Sequence, residues 1–187
     1  DWKFRRLSRT INRSLTAQCN YLAEVAEQYK YGRNNGLKYR VIRRAAHNND
    51  AEVASLISTL ATEPDFDPTQ KSLAFEFLCL NHTLLSYIAA LGAHREKIED
   101  QEVLTLLDLA VENIQGSLLK DEVPDLNAQN MLDTIRQRLS SNNKDDQKAL
   151  IVLQQLSLML SILNQLSRLK QSLSHDRDDK ATELASL

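Results

Sequence analysis

Apolar residues recur three and four positions apart from the beginning of the chain. Leu7, Ile11, Leu15, Cys19, Leu22, Val25 and Tyr29 form such a series and predict a helix over about Trp2–Tyr31. The stretch "YGRNNG" stops it, since Gly32, Asn34, Asn35 and Gly36 carry loop chemistry. A second helix is expected from Leu37 to about Thr62, closed by Pro64, which disfavours helical backbone at Glu63. "DPTQ" is a helix start: Asp67 can cap, Pro68 suits the first helical position and Gln70 falls at the capping-box position. That third helix runs to about His94. A fourth is predicted from Asp100 to Lys120, a fifth from Asp125 to Leu139 and a sixth from Lys144 to Leu173.

No segment alternates in the manner of a strand. The most apolar run, "ALIVLQQLSLMLSIL" from Ala149 to Leu163, is too short for a membrane span, and Gln154, Gln155, Ser157 and Ser161 interrupt it. A core helix touched from several sides accounts for it. The expected fold is therefore all-α: an antiparallel bundle of five or six long helices over residues 1–173, followed by a charged, frayed tail over 174–187.

Composition agrees with this pattern. The 187 residues are 42% hydrophobic, enough for a core, and only 4 Gly and 3 Pro are available for turns. Cys19 and Cys79 are too few for a disulfide framework, which points to a reducing compartment. The first residue is Asp1 rather than Met and no signal peptide is visible, so the chain is expected to be a piece of a longer protein. The net charge of −2 hides an asymmetry: residues 1–50 hold 11 Lys/Arg against 4 Asp/Glu. This basic end can attract phosphate, an anionic membrane surface or the acidic remainder of the chain.

Candidate chemistry concentrates in two places. On the second helix, Arg40, Arg43, Arg44 and His47 share one side, opposite Ile42, Ala45, Ala46, Asn49 and Val53. Asp50 stands three residues after His47, within side-chain reach. Such a stripe can grip an anion, or staple neighbouring helices through carboxylates such as Glu24, Glu27 or Glu63. On the third helix His82 lies on an apolar side and is expected as a hydrogen-bonded core histidine. His94 and Arg95 end that helix, where positive charge suits the dipole.

Enzyme and metal signatures are missing: there is no G-x-S-x-G, P-loop, H-x-x-x-H or E-x-x-H. No catalytic residue, metal or cofactor is expected, and without a compact helix-turn-helix pattern no nucleic-acid partner either. At the amino terminus Trp2 and Phe4 mix with Lys3, Arg5 and Arg6, the composition of a cytoplasmic membrane edge.

Three stretches carry a family likeness: "YLAEVAEQY" (Tyr21–Tyr29), "YRVIRRAAHNNDAEVASLISTLATEP" (Tyr39–Pro64) and "FEFLCLNHTLLSYIAALGAHR" (Phe75–Arg95). They resemble the carboxy-terminal soluble region of the YccS/YhfK family, bacterial inner-membrane proteins of the fusaric-acid-resistance (FUSC) group, similar to aromatic-acid exporters. The likeness is closest over residues 2–120 and looser to about 173. It implies transmembrane helices ahead of Asp1 as a partner, a place on the cytoplasmic side of the bacterial inner membrane, and no catalytic residues to carry over. The expected role is that of a regulatory or assembly domain of an exporter-like protein, with a homo-oligomer allowed. The alternative is a helical sensor that takes an anionic or aromatic-acid ligand on the arginine cluster, in a pocket between the second and third helices.

Overall fold

A computed structural model describes residues 2–123, 126–141 and 146–175. These form six α-helices: α1 (Trp2–Tyr31), α2 (Leu37–Leu60), α3 (Pro68–Ala93), α4 (Gln101–Leu119), α5 (Leu126–Ser140) and α6 (Gln147–His175). The fold is all-α, and no strand occurs among the described residues. The expected start of the fifth helix at Asp125, the start of the sixth at Lys144 and residues 176–187 of the tail lie outside the described residues. Ser174 and His175, placed in the tail by the sequence, continue α6.

The helix ends follow from local chemistry. Gly32 sits at φ +113, and its N–H closes the last turn of α1 on the Gln28 carbonyl at 2.9 Å. The Asp67 side chain accepts from the Thr69 N–H at 2.9 Å, with Pro68 opening α3. Asp100 caps α4 through the Val103 N–H at 3.2 Å, and Asp146 caps α6 through the Lys148 N–H at 3.1 Å. Each cap answers a donor that the helix itself leaves unpaired.

Cross-helix pairs fix the directions. Lys3 meets Glu63 at 2.8 Å and Lys38 meets Glu24 at 3.2 Å, so α1 and α2 are antiparallel. Gln18 bonds Asn81 and Tyr29 bonds Leu91, so α1 and α3 run the same way. Gln165 bonds Glu76 near the start of α3, while Lys148 pairs with Glu96 just past its end, so α6 opposes α3. Arg138 at the end of α5 reaches Asp100 and Glu102 at the start of α4. The helices thus alternate in direction through the chain.

The four helices α1, α3, α4 and α6 form the centre, α2 packs on α1 and α3, and α5 packs on α4 and α6. The whole α1 series from Leu7 to Tyr29 is buried. A second buried row on the same helix, with Ser14, Gln18, Tyr21 and Gln28, explains how α1 can contact four neighbours. The buried face of α2 is turned from the expected one. Ala46 and Val53 are buried as predicted, and Leu56 and Leu60 continue their row, but Tyr39, Asp50 and Ile57 are buried too, while Ile42, Ala45 and Asn49 are only half-buried.

Two helices, α3 and α6, are long and apolar enough to cross a membrane. For α6 this differs from the reading of residues 149–163 alone, because the helix extends well beyond that run. Here the two pack on one another. Phe77, Leu84 and Ile88 of α3 and Leu156, Met159 and Leu166 of α6 are buried in the bundle. Both also bury polar groups that have protein partners. Lys170 of α6 donates to the Leu118 carbonyl at 2.7 Å and to Asp121 at 3.1 Å, and Asn81 of α3 joins the network described next.

Candidate functional site

Polar side chains gather at three places around α1, α2 and α3. The first is enclosed. The Asn81 amide donates to Ser14 Oγ at 2.9 Å and to Asp50 Oδ1 at 3.1 Å, and the Gln18 amide donates to Asn81 Oδ1 at 2.7 Å. His82 Nδ1 stands 2.8 Å from Asp50 Oδ2. Asp50 is buried, which a carboxylate tolerates only when its oxygens are bonded. His82 is hydrogen-bonded as expected but is not a core residue, for its side chain is 69% exposed. Asn81, the next residue along the helix, takes the inward position instead. His47 is close to Asp50, Arg43 and His82, and its pKa is lowered, first by burial and then by the Arg43 charge. Its Nε2 is buried without a hydrogen-bond partner among the described residues.

The second place is a knot around Arg95 at the far end of the bundle. The guanidinium is buried, donating to Gln28 Oε1 at 2.6 Å, to the Gly92 carbonyl at 2.6 Å and to Asn35 Oδ1. It also lies 3.7 Å over the Tyr39 ring. The bond to Gly92 meets the expectation of a cation on the end of α3; the burial does not, because the α1–α2 loop folds over it through Asn35. Burial lowers the Arg95 pKa. Gly92 is where a side chain would be pressed, since a Cβ there would stand 3.1 Å from the Tyr21 hydroxyl and 3.3 Å from that of Tyr39. His94 beside it is exposed.

Arg40, Arg43 and Arg44 form the exposed outer side of α2. Arg43 reaches the Tyr21 hydroxyl. Arg40 and Arg44 have no ion pair among the described residues, and the carboxylates proposed as their partners, Glu24 and Glu63, are held by Lys38 and Lys3. Asp50 lies about two turns beyond Arg43 on the buried edge of the stripe, and His47 stands between them.

The third place is a groove of about 1090 Å³ along α1 and α2, reached by Ser174 of α6. Arg5, Arg9 and Arg13 line it from α1 at four-residue steps, together with Phe4. From α2 it is lined by Val41 and by Ile42, Ala45 and Asn49, the last three on the face that the sequence pattern sets opposite the arginine stripe. Trp2, at the start of the same helix, is 66% exposed, Arg5 and Arg6 are exposed, and Lys3 and Phe4 are half-buried. The sequence signal for this groove was the Arg5–Arg9–Arg13 spacing. Among the described residues no three His, Cys, Asp or Glu side chains converge as a metal site would require.

The described residues thus form an all-α bundle with an enclosed polar network and a basic groove. The chain's relatives say where such a bundle occurs. The chain is 41% identical over 175 residues, 93% of its length, to the inner membrane protein YccS of Escherichia coli. It thus belongs to the YccS family, as a segment: it spans 24% of the length of that relative. An uncharacterised protein of Haemophilus influenzae is 35% identical over 54% of the chain and 14% of its own length. The uncharacterised ORF2 protein of Neisseria gonorrhoeae is 31% identical over 57% of the chain and 26% of its own length. No family model matches the chain, and no solved structure matches it.

Proposed function

We propose that the chain is a cytoplasmic domain of an inner-membrane, exporter-like protein, with a regulatory or assembly role. The observation that carries this is the amino-terminal turn of α1. Exposed Trp2, Arg5 and Arg6 combine an amphipathic aromatic with positive charge, the pairing that suits the cytoplasmic face of a membrane. The likeness to an inner membrane protein over nearly the whole chain supports the same placement. In this reading the membrane-embedded part of the same polypeptide and the anionic lipid surface are its partners. The outer α2 stripe of Arg40, Arg43 and Arg44 is then open to a second copy or to the membrane part.

The exposed thiol of Cys79 provides the test, because Cys19 is buried. In membranes that contain the full-length protein, a membrane-impermeant maleimide labels Cys79 in inverted vesicles and leaves it unlabelled in intact spheroplasts. Labelling from outside the spheroplasts would defeat the cytoplasmic placement. Removal of residues 2–175 from the full-length protein lowers its assembly in native gels or its transport response; if both persist, the regulatory or assembly role is wrong.

A further inference from the structure

The arginine row on α1 is an electrostatic problem without a solution among the described residues. Arg5, Arg9 and Arg13 follow one another at the spacing that stacks like charges on one helix face, which disfavours the helix. All three are exposed, and none has an ion pair among the described residues. Other cations of the α1–α2 pair do have partners: Lys3 holds Glu63 at one end, and Lys38 holds Glu24 at the other. The row also edges a groove rather than lying on a flat face.

The two ends of the groove differ. The Lys3–Glu63 and Lys38–Glu24 pairs set the hairpin register, which puts Val41, Ile42 and Ala45 beside the stretch around Ala17 and leaves the three arginines toward the start of α1. One end is therefore aliphatic and the other cationic. Val41 is 56% exposed, an apolar side chain left in water inside a concave site. The volume of about 1090 Å³ is slightly above the range of ordinary small-molecule sites, and far more than a bare inorganic anion needs.

From these features we infer that the α1–α2 groove binds an anionic amphiphile, its phosphate or carboxylate head on Arg9 and Arg13 and its aliphatic chain along Val41, Ile42 and Ala45. Guanidinium forks match such heads in two-point contact. A chain in the groove removes Val41 and Ile42 from water. The head neutralises the arginine row. The ligand can be a phospholipid of the bilayer or a free single-chain amphiphile, and the chemistry recognised is the same. This assignment stands apart from the proposed cytoplasmic role, and either can fail without the other.

The test uses the 187-residue chain with decyl phosphate below its micelle concentration, inorganic phosphate, decanol, and vesicles of phosphatidylglycerol or phosphatidylcholine. Calorimetry gives saturable one-to-one binding of decyl phosphate, at least tenfold tighter than of inorganic phosphate or decanol. Arg9→Gln with Arg13→Gln weakens it at least tenfold, and so does Val41→Asp. All three positions are exposed or at the groove edge, and unchanged melting curves confirm folding. Lys71→Gln with Arg136→Gln removes the same charge elsewhere and leaves binding as it was. Binding to phosphatidylglycerol vesicles with the same dependence on the variants assigns the ligand to the bilayer; binding of the monomer alone assigns it to a free amphiphile. Absence of binding, equal binding of inorganic phosphate or of decanol, or equal loss in the Lys71/Arg136 pair overturns the proposal.

Discussion

Arg95 and the Arg5–Arg9–Arg13 row use the same side chain under opposite conditions. Around Arg95 the protein supplies neutral oxygens from three chain segments and an aromatic face, so the cation is satisfied without a carboxylate. Along the groove the described residues supply none of these, and the guanidiniums are exposed. The contrast shows that an arginine's role is set by which acceptors the fold brings to it. In the first region the charge holds helices together; in the second it is free for a partner.

The largest expected effect breaks the closed region. Arg95→Ala removes three side-chain hydrogen bonds and the Tyr39 contact and leaves a gap at a buried position, and it should cost roughly 3 kcal/mol in urea unfolding. Arg95→Lys should restore little, because an ammonium cannot reproduce the three-way fork. Asn81→Ala comes next, at about 2 kcal/mol, since it removes the donor to Asp50 and Ser14 and leaves Gln18 only the backbone carbonyl as acceptor. A fall much below 1 kcal/mol in either case would erase the distinction between the two regions.

A smaller effect lies in pH. The lowered pKa of His47 means that the unfolded chain binds its proton more readily than the folded one. The His47 contribution to stability is thus complete above the unfolded pKa of about 6.5 and declines as pH falls through that value toward the lower folded pKa. Arg43, Asp50, His82 and Tyr21 surround this ring, and His47→Gln should flatten the fall in melting temperature between about pH 7 and pH 5 relative to the parent. The smallest effect sharpens the comparison from the open side. Arg9→Ala should change stability by no more than about 0.5 kcal/mol, and any gain would report relief of the like-charge row.

The helices were readable because this sequence punctuates them strongly. Gly32, Asp67 with Pro68, and Asp100 each act locally, and the structure ends or starts a helix beside each of them. Facing was less readable. Asp50 is buried against Asn81, and periodicity alone has no means of pairing an acid on α2 with an amide on α3. Ile42 and Ala45 have core character, yet they line a groove because no other helix among the described residues covers them. Arg95 had the sequence position of a helix-end cation; its burial depends on Asn35 arriving from a loop sixty residues away.

The bundle is tied unevenly along its length. At the Arg95 end the α3–α4 connector adds a backbone bond, Ile98 N–H to the Tyr29 carbonyl at 3.0 Å, and the Tyr29 hydroxyl donates to the Leu91 carbonyl at 2.6 Å. The start of α1 is linked to the end of α2 by the partly exposed Lys3–Glu63 pair. Local opening is therefore expected in the first turn of α1, ahead of the buried Leu7, and fades toward the Arg95 end, so the helix frays from its tip while its body stays clamped in the core. Amide exchange should be fast near Phe4, slow near Tyr29 and graded between them.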